Sequence, residues 1–365
     1  MKIGGWYLLN KKHNIFEIKL FIITMKKLLI IFLLVLFNNL KSEWIFQNSQ
    51  TANNLSDVYF IDVYNGIVVG ERGTIIKTTN GGINWSVIQS PVSENFHTCL
   101  LLDANTGFAL AYKTLLRTTN GGLNWNIVMK VSGDSSLNAI SFFKNSSTGF
   151  VLGPCLAFKT TNSGANWTSI YTCPNLPYGE GNIYFKCADR LNDTTIVAGG
   201  SIGVAHFPPS SCFVTITPSS SIYGSNYSAD SWIGWIKFAG NSGIGYAFQR
   251  GTYLRTQSGY GWSRYYKFPS FGTVSFYNDS IGFFKSSVQS VNVFYYTTNS
   301  GDSWIYYDSI VGPTALITLT KFQLISGNVL TVVGYRGIII RNNYLFPRIR
   351  NLKTNEPEYF KLDQN

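Results

Sequence analysis

The chain has 365 residues, 45% of them hydrophobic and 16% aromatic, and carries a formal net charge of +11. That length and apolar content suffice for a sizeable core and exclude a disordered chain, while only 13% charged residues alongside 34 Gly and 22 Tyr point to an all-β class rich in tight turns. Seven Lys against the single Glu17 fall within residues 1–42 and account for six of the eleven excess charges, so no basic stripe for nucleic acid remains beyond them.

The first element in chain order is a leader. Met25-Lys26-Lys27, the apolar run Leu28 to Phe37 and the polar Asn38 to Ser42 have the three regions of a secretory signal peptide. Ten apolar residues are too few to span a bilayer, so no stable membrane span is expected after removal near Ser42 and Glu43. An uncleaved anchor that recruits Ile15 to Thr24 is the alternative, and the residues before Met25 read as an upstream start. The expected compartment is therefore outside the cell or on its outer surface, or periplasmic and membrane-anchored if the leader stays.

Residues 43–346 are read as one domain with an internal repeat. Thr78 to Trp85, with Asn80 and Gly82, recurs as Thr118 to Trp125 with Asn120 and Gly122, and again as Thr160 to Trp167 with Asn162 and Gly164. It returns as Thr297 to Trp304 with Asn299 and Gly301, and in worn form as Arg255 to Trp262 with Gly259. The Trp positions step by 40, 42, 95 and 42 residues, so one degenerate copy lies hidden between Trp167 and Trp262. In the first unit, Leu55 to Ile61, Gly66 to Gly70, Thr74 to Thr79 and Trp85 to Ile88 read as four strands. The Asn-x-Gly pair suits the hairpin between strands three and four, with the Trp ring covering that hairpin.

Inner strands beginning near Leu55, Phe96, Leu137, Ile183, Trp235, Phe271 and Leu316 make seven units. The last, Val333 to Arg341, ends before any Trp turn, while Trp44 to Gln47 resembles Trp85 to Ile88 one repeat early. The expected fold is a seven-bladed β-propeller of four-stranded blades, closed by the amino-terminal strand pairing into the last blade.

Five Cys lack CxxC spacing, and only His97 and His206 lie beyond the leader, so no metal and no cofactor is expected. Cys155 with Cys173, or Cys187 with Cys212, could pair in an oxidising compartment; single buried thiols are the preferred reading. Turns between strands two and three fall at the end of the ring opposite the Trp turns. There Arg72-Gly73, Arg250-Gly251 and Arg336-Gly337 occupy equivalent places, and Arg72, Arg250 and Arg336 are the candidate binding residues, a basic patch for an acidic peptide or a glycan. Exposed turns that merely tolerate Arg are the plainer alternative.

The unit Gly70 to Trp85, G-x-x-G-x-I-x-K-T-T-N-G-G-x-x-W, resembles the photosystem II stability and assembly factor propeller family over about residues 44–345. More distantly it is similar to the Asp-box repeats of bacterial neuraminidases and sortilin-like receptors. The first resemblance implies a propeller that helps assemble a protein complex; the second implies, as a further alternative, a sialidase-like glycoside hydrolase, but no F-R-I-P motif is present. Residues 347–365 form a linker whose ending, Phe360 to Asn365, resembles the first strand of a type IX secretion sorting domain. The expectation is an exported, monomeric, non-catalytic propeller that binds or scaffolds a protein or glycan at the cell surface.

Overall fold

Each forty-residue unit becomes one antiparallel sheet, because its four short runs of β-branched and aromatic residues are separated by turn residues at fixed offsets. The computed structural model describes residues 25–27, 44–172, 182–204, 207–217, 222–227, 233–249, 252–259, 261–266, 268, 272–288, 291–310, 318–326 and 329–343. The leader, the linker and the sorting-domain resemblance fall almost wholly outside these residues. Among the described residues no helix is long and apolar enough to cross a membrane.

The described strands form seven four-stranded sheets, and the chain is a seven-bladed β-propeller. Blade 1 contains Leu55–Phe60, Gly66–Gly70, Ile75–Thr78 and Ser86–Ile88 in simple up-and-down order. Blade 7 contains Leu319–Ile325, Val329–Gly334 and Ile339–Asn342, and its outer strand is Ile45–Gln47 from the other end of the chain. The register is antiparallel, with Ile45 opposite Arg341, Phe46 opposite Ile340 and Gln47 opposite Ile339. This seam closes the ring and pairs an edge that would otherwise be open.

The first strands of blades 1, 2 and 4 begin at Leu55, Phe96 and Ile183, as read from the sequence. The others begin at Ala139, Ile233, Gly272 and Leu319, up to three residues from the expected Leu137, Trp235, Phe271 and Leu316. Leu137 shows why: it is buried, but its N–H donates to Tyr112 O of the neighbouring blade at 2.7 Å rather than joining its own ladder. Burial by the neighbouring blade had imitated a strand.

The core is not inside the blades but between them. Leu55, Val58, Val68, Ile76 and Trp85 of blade 1 pack against Ile325, Val329, Val333 and Ile339 of blade 7, and every other seam has its own cluster. Full burial of one such aliphatic side chain is worth about 1.5–3 kcal/mol, so each seam is a substantial adhesive. The Trp residues belong to these seams. Trp44, Trp85, Trp125, Trp167, Trp262 and Trp304 each pack into the seam with the blade before their own, and Trp125, Trp167 and Trp304 also lie against the second glycine of their own turn.

Blade 4 is the hidden copy. Its strands Ile183–Asn192, Thr195–Val204 and Phe207–Ile216 are ten residues long, and its seam with blade 3 is filled by Phe185, Ile196, Ala198, Cys212, Val214 and Ile216 without a Trp. Cys99, Cys187 and Cys212 are free, whereas Cys155 is disulfide-bonded, which corrects the preferred reading for that residue. Cys187 and Cys212 do not pair: the strand carrying Gly199 and Gly200 lies between theirs, and their side chains face opposite seams. Burial pushes both thiols up, Cys212 to about 12.

Candidate binding face

The two ends of the ring are built by different turns. Gly70 pairs with Leu55, so the turn after Gly70 lies beside the start of the inner strand, and the Trp turn after Thr78 lies at the other end.

At the Trp end the box is a hydrogen-bonded clamp. Thr78 Oγ1 accepts the Gly82 N–H at 2.8 Å, and Asn80 Oδ1 accepts the Asn84 N–H at 2.9 Å. The same pair recurs at Thr118 with Asn120, Thr160 with Asn162 and Thr297 with Asn299. Buried amides are thereby satisfied where the chain reverses. The sequence reading singled out the Asn, Gly and Trp and missed two partners. One is the Thr; the other is the cation just before it, which reaches the next blade's box. Arg117 Nε donates to Ser163 O at 2.8 Å and Arg255 pairs with Asp302 at 2.7 Å; in blade 7, which has no box of its own, Arg341 precedes Asn342 and donates to Val63 O of blade 1 at 2.6 Å while covering the Phe60 ring. A Lys or Arg directly before the Thr in blades 1, 2, 3 and 5 was the available signal.

At the opposite end, Arg72 (φ 55°) and Gly73 (φ 72°) form a tight reversal in which the Thr74 N–H donates to Glu71 O at 3.0 Å. Arg336 (φ 56°) and Gly337 (φ 71°) repeat it, with the Ile338 N–H on Tyr335 O at 3.2 Å. A Cβ at Gly73 would collide with the Val92 carbonyl, and one at Gly337 with that of Thr51, because the next blade's incoming loop lies against each turn. Left-handed backbone costs an ordinary residue about 1–2 kcal/mol. Here it is held from outside. The Arg336 N–H donates to Asn54 Oδ1 at 3.0 Å, and the Arg72 N–H to Asn95 Oδ1 at 2.9 Å. Asn54 also donates through Nδ2 to Glu71 Oε1 at 3.1 Å, so one side chain joins the turns of blades 7 and 1.

The structure thus brings Arg72 and Arg336 onto adjoining turns, both exposed and neither in an ion pair with a described residue. Arg250 and Gly251 lie outside the described residues. Two exposed aromatics share this end: Tyr335, beside Arg336, and Tyr112 of the equivalent blade 2 turn, which stacks on His97 at 4.6 Å. Burial holds His97 below the usual imidazole range. The nearby acids are occupied. Glu71 holds Asn54, and Glu94 accepts from the Thr114 hydroxyl at 2.5 Å and the Lys113 N–H at 3.3 Å. What remains is a basic and aromatic band over blades 7, 1 and 2.

The inner strands carry Asp57, Asp189 and Gln323, whose polar groups cap the inner edge of the next blade, and Lys237, which reaches back to Asp189 of the blade before. Asp57 Oδ2 accepts from the Thr98 hydroxyl at 2.7 Å and the Cys99 N–H at 3.0 Å. Asp189 accepts the Phe238 N–H at 2.7 Å and pairs with Lys237 at 3.2 Å, which raises the Lys237 ammonium above its ordinary value. Gln323 accepts the Phe60 N–H and donates to Phe60 O. These innermost strands have a neighbour on one side only, and the side chains supply the missing partners.

Residues 84–190 match the family model described as photosynthesis system II assembly factor YCF48. Over those residues the chain is similar to the photosystem II assembly factor family. Its fold is similar to that of a solved YCF48 bound to a D1 peptide, with TM-score 0.60 and 16% identity over 82% of this chain and 94% of that one. YCF48 from Cyanidioschyzon merolae gives TM-score 0.60 and 17% identity over 82% and 98%. The U3-55K structure gives the same TM-score at 10% identity over 82% and 98%, so at this distance the likeness carries the fold and not the job. No curated protein matches the chain in sequence.

Proposed function

We propose that this assembly factor-like propeller is a non-catalytic binding protein that takes an extended acidic protein segment across the turns of blades 7, 1 and 2. The observation that carries the reading is the pair of Arg-Gly turns. Arg72 and Arg336 stand exposed on strained backbone that Asn54 and Asn95 hold in place, and strain kept up by dedicated partners is a mark of a working surface. Exposed guanidinium groups beside Tyr112 and Tyr335 suit a carboxylate-rich chain, with aromatic area for its apolar atoms. The D1 peptide bound by YCF48 supports a protein rather than a glycan as the partner. The inner-strand carboxylates argue against the hydrolase alternative, since Asp57 and Asp189 are engaged by main-chain amides rather than poised for proton transfer. The leader at residues 25–42 supports export, with the ring displayed at the cell surface.

The test is fluorescence anisotropy of a labelled Asp/Glu-rich peptide against the full chain. Arg72→Gln with Arg336→Gln should weaken binding by about tenfold or more and flatten its salt dependence. Unchanged affinity in a folded double variant would refute the site. Retained binding of an uncharged glycan with no peptide binding would refute the partner.

A further inference from the structure

We infer that the axis of the ring is a second binding site, where Tyr59 of blade 1, Arg190 of blade 4 and Lys237 of blade 5 take one small oxyanion, a phosphate or a carboxylate. The first strands of the blades approach one another around that axis, so residues far apart in sequence meet there. Those seven strands carry four cations, Lys186, Arg190, Lys237 and Lys321, against two carboxylates, Asp57 and Asp189. The carboxylates are spent. Asp57 is held by the Thr98 hydroxyl and the Cys99 N–H, and Asp189 by the Phe238 N–H and Lys237. Gln323 and Ser275 are likewise engaged by the main chain of the next blade.

Arg190 is not spent. Its half-buried side chain makes no hydrogen bond or ion pair with a described residue, and its Nε is shut away from solvent with no acceptor. The Tyr59 hydroxyl, facing it from blade 1, has no partner among the described residues either. Burial raises the Tyr59 phenol above its ordinary value while Lys237 and Arg190 act against that rise, which sets both cations close to the phenol across the ring. The space between them is wet: Tyr59 is half-buried, and the Lys237 side chain is 39% exposed despite its place on an inner strand. The Lys237 ammonium has three N–H groups and gives one to Asp189 at 3.2 Å. A guanidinium, an ammonium with donors to spare and a free hydroxyl together lack only an acceptor, and an oxyanion supplies several in one small body. The site is on the axis rather than on the exposed turns of Arg72 and Arg336, and it does not rest on the peptide proposal.

The experiment is thermal denaturation of the full chain with sodium phosphate or sodium acetate, each against sodium chloride of equal ionic strength. One or both should raise Tm by on the order of 2 °C at saturation, and which of them does so tells phosphate from carboxylate. Arg190→Gln should lose the rise, whereas a general stabilisation by excluded salt would survive it. Arg72→Gln with Arg336→Gln should keep the rise. Tyr59→Phe, which removes a single hydroxyl, should lower it by about half or more and decides the matter if Arg190→Gln does not melt cooperatively. The proposal is overturned if neither anion exceeds the chloride control, if the deciding variant responds like the unmodified chain, or if the rise disappears with Arg72 and Arg336.

Discussion

The Trp end and the Arg end of the ring divide labour that the repeat itself makes possible. At the Trp end the box recurs with nearly the same residues in four blades, where its Thr and Asn close the turn and its Trp fills the seam. At the Arg end the corresponding turns read Glu-Arg-Gly-Thr, Ala-Tyr-Lys-Thr and Gly-Pro-Cys-Leu in blades 1, 2 and 3, starting at Glu71, Ala111 and Gly153. One end is uniform in four blades because their turns are closed by the same clamp; the other varies because its turns are already held by the next blade's loop. Sequence uniformity here marks structure, and departure from it marks surface chemistry.

That comparison breaks if perturbing the Trp end spares stability or if perturbing the Arg end destroys it. The largest effect is expected from deleting residues 1–47, which removes the closing strand, Trp44 and the Gln47 side chain that donates to Gly81 O and accepts from Trp85 Nε1. Loss of the cooperative melt, or a fall in Tm of more than about 10 °C by circular dichroism, is the expected result. Trp125→Ala should follow at about 3–5 kcal/mol in urea unfolding, with peptide affinity unchanged in the folded fraction.

Lys285 sharpens the contrast, because the Arg end contains a liability of its own. It is 7% exposed, its ammonium donates to Leu319 O at 2.6 Å, and burial lowers its pKa to about 8. The unfolded chain therefore binds the proton more tightly, and stability rises with pH between about 8 and the unfolded value near 10.4. Lys285→Met should stabilise by at most about 3 kcal/mol below pH 8, and the gain should disappear by roughly pH 10.5. A gain independent of pH would contradict this origin.

Thr118→Val should cost about 1–3 kcal/mol by stranding the buried Gly122 amide. Arg72→Gln with Arg336→Gln should move unfolding free energy by no more than about 0.5 kcal/mol while impairing peptide binding. A large loss of stability in that double variant would mean that these turns are structural after all.

How much of this was legible follows from what each residue does. The Trp ladder exposed the blades because six of the seven seams take a Trp ring at the repeat distance, and the orphaned Trp44 strand exposed the closure. Blade 4 was hidden because longer apolar strands replaced its Trp, so periodicity had nothing to show. Arg72 and Arg336 were readable as turn residues from the Gly beside them, but Asn54 and Asn95 were not: their partners lie on another blade. The same holds for the cation before the box in blades 2 and 5 and for Asp57 and Asp189, whose roles exist only across a seam. Contacts within a blade leave a local pattern, whereas contacts between blades are visible only once the ring is drawn.

The pairing of Gln47 with Ile339 joins positions about 300 residues apart in the chain. During synthesis at about 5–20 residues per second, the first strand must wait on the order of 15–60 s for its partner. Throughout that interval blade 7 is unborn and Ile45–Gln47 is an unmatched ribbon, open to proteases and to stray strands. The ring can thus be finished only by a complete chain, and any copy cut short before Asn342 carries the mark of its own incompleteness in a loose front end.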